Sequence, residues 1–255
     1  MMLSGKTFLV AGVGAGLGTA VVSVLASEGA GVVGVARSSR SLAPIAAHAR
    51  ARGWKVSTET ADLMDSAQVE QVVERAVREY GRIDGVSVNV GHWVGGETLL
   101  HRLSEEEWSV AIRDNLDPLY RIGRVVLPRL VAQGDGSLVL VAAAPAVRLV
   151  ASASYAAAKG GLAAVVPKLA RDYRATGVRV NAVLPGSMPN ELTDLDPPAT
   201  DRPIPMTDRP ATSPWAVARA IRYLLSDESR WVTGALLTVD GGASTGGEPP
   251  TTDPG

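Results

Sequence analysis

Short apolar runs alternate along this chain with longer stretches in which apolar residues return at every third or fourth position. Such runs read as buried strands and the longer stretches as helices, and their regular alternation predicts a parallel sheet covered on both faces. The predicted strands are Thr7 to Ala11, Gly31 to Ala36, Lys55 to Thr60, Gly85 to Asn89, Ser137 to Ala142, Arg179 to Leu184 and Leu236 to Val239. Helices fill the intervals. One follows Gly16, and one spans Ser66 to Tyr80, where Val69, Val72, Val73, Ala76 and Val77 fall on one face. Another runs from Glu105 to about Val131, opening on Glu105, Glu106 and Glu107, which suit the positive end of a helix dipole. Pro118 interrupts it: proline has no amide proton for the carbonyl four residues back, so a kink or a freed carbonyl is expected near Asp114 and Asn115.

Two segments leave this rhythm. Between Ser187 and Pro214 the prolines Pro189, Pro197, Pro198, Pro203, Pro205 and Pro210 forbid a long helix, and so long a loop inside a domain reads as a substrate lid over 187–214. After Ala243 the run from Ser244 to Gly255 has no apolar residues to bury, so 244–255 is expected to be a disordered tail behind a single domain over 1–243.

Composition narrows the chemistry. The chain has 255 residues, 46% of them hydrophobic, enough for one sizeable α/β core. A formal net charge of −1 without a long basic run argues against a nucleic-acid partner. Absence of cysteine removes disulfides, thiolate metal sites and cysteine nucleophiles, and His48, His92 and His101 match no metal-ligand spacing. No apolar run reaches membrane-spanning length and no signal-peptide pattern opens the chain, so a soluble, cytoplasmic protein is expected.

Three motifs carry the functional reading. In F-L-V-A-G-V-G-A-G-L-G a strand ends at Ala11, Gly12 permits a tight turn, Gly16 lets backbone amides approach a pyrophosphate, and Gly18 allows the following helix to pack closely. This order of strand, turn and helix points to a dinucleotide. The second strand ends V-G-V-A-R-S-S-R, with Ala36 where an acidic residue would bind the ribose hydroxyls of NAD, followed by Arg37. A guanidinium without a competing carboxylate favours the 2′-phosphate of NADP over NAD. Finally, Tyr155 and Lys159 lie four apart on one helical face, so the ammonium can stand beside the phenol and favour its ionised form, giving a proton donor and acceptor usable near neutrality.

These motifs together resemble the short-chain dehydrogenase/reductase family, of the single-domain type that includes the 3-oxoacyl-carrier-protein reductases, over Leu3 to Ala243. The V-N-V-G run at Val88 to Gly91 is similar to the family's N-N-A-G, and R-V-N-A-V-L-P-G and V-T-G-A-L-L-T-V-D-G-G match its later strands. The resemblance implies a Rossmann fold, a doubly wound seven-stranded parallel sheet. It implies cofactor contacts at Gly12, Gly16, Leu17, Gly18, Arg37, Ser38, Asp62, Leu63, Asn89, Gly91, Tyr155, Lys159, Pro185 and Gly186. Tyr155 would be the acid/base, Lys159 would hold the ribose and lower the tyrosine pKa, and Asn115 would fix a relay water. The partner would be a small carbonyl or alcohol substrate, and the assembly a homotetramer using the small-residue face Ala156, Ala157, Gly160, Ala163 and Ala164.

The departures from the family pattern are also specific. Its substrate-binding serine is replaced by Ala142 or Ala143, Val88 replaces the first asparagine, Asn190 stands where a threonine commonly contacts the carboxamide, and Pro167 is expected to bend the Tyr155 helix. Ser152 reads as that helix's N-cap. His92 and Trp93 are candidates for the pocket wall, and Arg148 for an anionic substrate. Three readings follow: an NADP(H)-dependent carbonyl reductase or alcohol dehydrogenase, a cofactor-binding sensor or partner subunit with little activity, and an enzyme acting on a substrate that needs no serine.

Overall fold

The computed structural model describes residues 2–93, 98–199 and 211–246. Seven strands form one sheet in the order β3-β2-β1-β4-β5-β6-β7, every pairing parallel. They are β1 (Thr7–Ala11), β2 (Gly31–Ala36), β3 (Val56–Thr60), β4 (Gly85–Val88), β5 (Gly136–Val141), β6 (Val178–Pro185) and β7 (Leu236–Val239). Burial on both faces explains why β1, β2 and β5 read as unbroken small and apolar runs.

Helices α1 (Leu17–Ser27), α2 (Ser39–Arg52) and α8 (Pro214–Leu225) cover one face, where Phe8, Val10, Leu25, Ile45 and Ile221 form a core. On the other face α3 (Ser66–Tyr80), α5 (Asp117–Gln133) and α7 (Ala153–Tyr173) enclose Leu9, Val86, Val72, Ile122 and Val166. The chain reverses its direction of winding between β1 and β4, which leaves a crevice beyond the carboxyl ends of those strands.

Local chemistry sets the ends that matter to this crevice. α3 starts because Asp65 accepts from the amides of Ala67 and Gln68 at 2.9 and 3.4 Å. α4 (Glu105–Asn115) starts with a reciprocal cap in which Ser104 Oγ accepts from Glu107 N and Glu107 Oε2 accepts from Ser104 N. The expected interruption is a complete break: α4 ends at Asn115, and α5 restarts at Asp117 with Pro118 in its first turn, where a missing amide proton costs nothing. Asn115 is thereby left at a helix end, buried. α7 runs on through Pro167, whose ring lies exposed, and the proline-rich segment ends where Pro214 opens α8. One short helix, α6 (Pro145–Leu149), has no counterpart among the expected elements.

Of the expected lid, residues 200–210, with Pro203, Pro205 and Pro210, lie outside the described residues. Of the tail expected from Ser244, Ser244 itself is held, its Oγ accepting from Ala146 N of α6 at 3.1 Å, and 247–255 lie outside the described residues. Among the described residues no helix is long and apolar enough to cross a membrane, and no group of three metal-ligating side chains occurs.

Candidate active site

A cleft of about 810 Å³ opens at the carboxyl ends of β1, β2, β4, β5 and β6. Of the residues singled out from the sequence, Gly12, Gly16, Leu17, Gly18, Arg37, Ser38, Asp62, Leu63, Asn89, Gly91, Tyr155, Lys159, Pro185 and Gly186 line it, and Asn115 lies just behind its wall. The glycine turn is built by steric demand. Gly12 has φ +99°, and a Cβ there would sit 3.0 Å from the backbone of Asn89 and Val90; one on Gly18 would meet the Gly12 carbonyl oxygen at 2.2 Å. At Gly16 the close neighbour is the Asn190 carbonyl, 2.8 Å from where a Cβ would be. The chain after β6 therefore crosses the turn, and Leu192 N donates to Ala15 O at 3.0 Å.

Around Gly91 two functional groups meet. A Cβ on this residue would lie 2.5 Å from Asn115 Oδ1 and 2.8 Å from Lys159 Nζ, so the missing side chain leaves both atoms facing one small space. Lys159 Nζ donates to the Val141 carbonyl at 3.2 Å, and Asn115 Nδ2 to the Ala111 carbonyl at 3.1 Å. Asn115 Oδ1 and Asn89 Nδ2 are buried and have no partner among the described residues, whereas Asn89 Oδ1 accepts from Ser87 Oγ at 2.8 Å. Buried polar atoms of this kind take a partner from solvent or ligand. Together with the glycine cradle, they fit a nicotinamide dinucleotide held in this cleft.

Burial dominates the electrostatics. It pushes the Tyr155 phenol up to about 12 and Lys159 down to about 8. The lowered phenol pKa expected from the spacing of the pair is thus not what this geometry gives: the ammonium is 5.9 Å from the ring centroid and engaged by Val141. Loss of hydration outweighs that distant charge.

A family model described as enoyl-(acyl carrier protein) reductase matches residues 12–244. A 3-oxoacyl-[acyl-carrier-protein] reductase of Thermotoga maritima is 32% identical, over 95% of this chain and 99% of the relative. A cis-4-hydroxycyclohexanecarboxylate dehydrogenase of Sinomonas cyclohexanicum is 33% identical, over 93% of this chain and 96% of that one. Among solved structures, a short-chain dehydrogenase/reductase from Burkholderia xenovorans superposes with a TM-score of 0.84 at 32% identity, covering 97% of this chain and 99% of that one. The chain belongs to the short-chain dehydrogenase/reductase family. Membership as an oxidoreductase similar to the 3-oxoacyl-carrier-protein reductases gives weight to the departures in its site.

Ala142 and Ala143 both line the cleft where the family carries its serine, and neither can donate a hydrogen bond from its side chain. Ser152 and Ser154 do not fill the gap. Both are buried outside the cleft lining; Ser152 Oγ accepts from Tyr155 N at 3.2 Å as the cap of α7, and the two hydroxyls lie 3.1 Å apart. Arg148 is also outside the lining. Its Nη1 lies 3.3 Å from where a Cβ on Gly160 would be, so it covers α7 and does not face a substrate.

His92 and Trp93, candidates for the pocket wall, both line the cleft, and the Trp93 ring meets the Tyr155 ring edge to face at 5.0 Å. Met64, Asp114, Val147, Val150 and Met188 line the cleft and were missed. Asp114 was detectable only as the neighbour of Asn115 at the proline break. No local pattern distinguishes the others from ordinary apolar loop residues.

Proposed function

We propose that this protein is an NADP(H)-dependent oxidoreductase that interconverts a carbonyl and an alcohol, with Tyr155 as the acid/base. The observation that carries the reading is the meeting of Lys159 Nζ and Asn115 Oδ1 around Gly91, with the Tyr155 ring centroid 5.9 Å from that ammonium, on the same cleft as the glycine turn. NADP(H), held by the glycine turn, Arg37 and Lys159, would supply the hydride chemistry for the carbonyl carbon. The Tyr155 hydroxyl gives the proton that completes the alcohol, or accepts it on oxidation. Lys159 holds the ribose hydroxyls, and its positive charge favours the phenolate at the moment of transfer. Asn115 Oδ1, free on the cavity side, accepts from a water that returns the proton from solvent.

Arg37 selects the nucleotide. It is exposed at the mouth of the cleft, one residue past β2, and has no hydrogen-bond or ion-pair partner among the described residues. Its planar fork of donors suits the 2′-phosphate. Replacing it with alanine removes a charge-assisted contact, and NADP(H) binding should weaken by about 1.5 to 3 kcal/mol while NAD(H) binding barely changes. Equal affinity of the native protein for the two nucleotides would contradict this assignment.

The acid/base role is tested by NADPH oxidation with a panel of ketones. Tyr155→Phe should abolish turnover and leave calorimetric NADPH binding nearly intact, because only the hydroxyl is lost. Lys159→Met should impair both. Retention of most of the native rate by the phenylalanine variant would exclude Tyr155 as the proton donor.

A further inference from the structure

We infer that the substrate half of the cleft takes an uncharged ketone, or its alcohol, borne on a flat apolar ring, and that Trp93 is the residue that selects it. This deepens the reading above, which places the reacting oxygen at the Tyr155 hydroxyl. Trp93, which packs on the Tyr155 ring, and Ala142, Ala143, Val147, Val150 and Met188 give the cleft lining an apolar share. None is charged, and only the indole nitrogen carries a polar hydrogen.

Trp93 is placed as a ligand surface would be. Its ring stands against Tyr155 at an interplanar angle of 62°, so the two aromatic planes make a corner. The residue nevertheless keeps 51% of its surface exposed, and Val150, across the same cleft, keeps 55%. Large apolar side chains left open on a concave wall are the usual mark of a surface that a ligand covers. A planar ring laid on the indole recovers stacking as well as buried area, while a flexible chain recovers area only and loses rotamer freedom on binding.

The charged groups point the same way. Asp114 faces the cleft with its carboxylate already shared, Oδ1 with Arg113 Nε at 2.8 Å and Oδ2 with His92 Nδ1 at 3.4 Å. Lys159 is buried and engaged by the Val141 carbonyl, Arg148 is turned onto Gly160, and Arg37 lies at the far, nucleotide end. Among the described residues no uncommitted cation lines the cleft beside Tyr155 to hold a carboxylate or phosphate, since Arg148, whose Nε has no partner there, lies off the lining against Gly160, and Asp114 repels one. The site thus prefers a neutral substrate.

The test compares tetralone, the linear decanone of equal carbon number and the anionic oxocyclohexanecarboxylate as NADPH-dependent substrates, together with calorimetric binding of tetralol in the presence of NADP. The native protein should favour tetralone over decanone in kcat/KM by about tenfold, the size expected of a good aromatic contact. Trp93→Ala should remove most of that preference through KM. Trp93→Phe, which keeps a ring, should retain it. Tetralol binding should fall in the alanine variant by a similar factor, a readout that needs no turnover. No preference for the ring, an unchanged preference in Trp93→Ala, or a better kcat/KM for the carboxylate would overturn the inference. Tetralol binding that depends on Trp93, without reduction of any ketone, would support this assignment and refute the proposed reaction.

Discussion

Tyr155 and Lys159 respond to the same burial in opposite senses, and the stability of the chain should record both. Lys159 titrates at about 8 in the folded protein against an ordinary value of 10.5, so between these limits the unfolded chain holds more protons. Stability should therefore rise with pH across that window. Tyr155 has the reverse sign: its phenol ionises near 10.0 when unfolded and only near 12 when folded, so its contribution is lost as pH climbs from the first value through the second. Thermal unfolding should show a midpoint that climbs from pH 8 toward 10 and then falls. Lys159→Met should flatten the climb and Tyr155→Phe should soften the fall; a climb of native size in the methionine variant would assign it to other groups. The i, i+4 spacing made the pairing of these residues legible, but not the sign of the tyrosine shift, because burial is set by β5, α7 and the loop of Trp93 together. The vacancy of a side-chain donor at Ala142 and Ala143 was fully legible, since it is a matter of identity. An absent donor to a developing oxyanion corresponds to about 2.7 to 4 kcal/mol, or about a hundredfold to a thousandfold in rate. Ala142→Ser or Ala143→Ser, made separately, should raise the reduction rate with cofactor affinity unchanged. No gain in either, with a native rate already high, would show that another group supplies the contact.

Secondary structure could be read where one physical signal dominated. The boundaries of β1, β2 and β7 follow the apolar runs to the residue, and α3 follows its periodicity. β6 extends one residue beyond expectation at each end, to Val178 and Pro185, positions that a transfer of apolar pattern alone leaves open. Proline proved ambiguous. Pro118 does separate two helices, whereas Pro44, Pro128 and Pro167 sit inside helices that continue past them. What a proline does depends on whether the carbonyl it deprives has another partner, and only tertiary structure supplies that. The segment after β6 shows the same limit. Its prolines ruled out a helix, but nothing local revealed that Asn190 and Leu192 would cross the glycine turn, or that Asp196 would pair with His48 at 2.9 Å and with Arg52, both on α2. These contacts fasten residues 187–199 along the nucleotide side of the cleft while Ser187 to Asn190 line it.

For the molecule as a whole, the alternation of strands and helices and the family motifs were enough for a doubly wound parallel sheet, while the strand order that creates the cleft is seen only in the structure. Assembly is less directly written. Of the small residues on α7, Ala163 is buried against its own sheet, Gly160 is covered by Arg148, and Ala157 and Ala164 remain exposed. Trp108 on α4 and Tyr120 on α5 are also exposed, at 40% and 60%. We therefore expect a homotetramer. Light scattering at micromolar concentration should give about four times the chain mass of 26.4 kDa, and a monomer would refute it.

Among the described residues β7 pairs with β6 alone, leaving its outer edge open there, and Leu236 and Leu237 on it are 43% and 36% exposed, as Trp231 is fully. An open apolar edge invites pairing with any other strand unless it is covered. If a second copy provides the cover, dilution uncovers it, and resistance to heat becomes a function of how much protein is in the tube rather than a constant of the sequence.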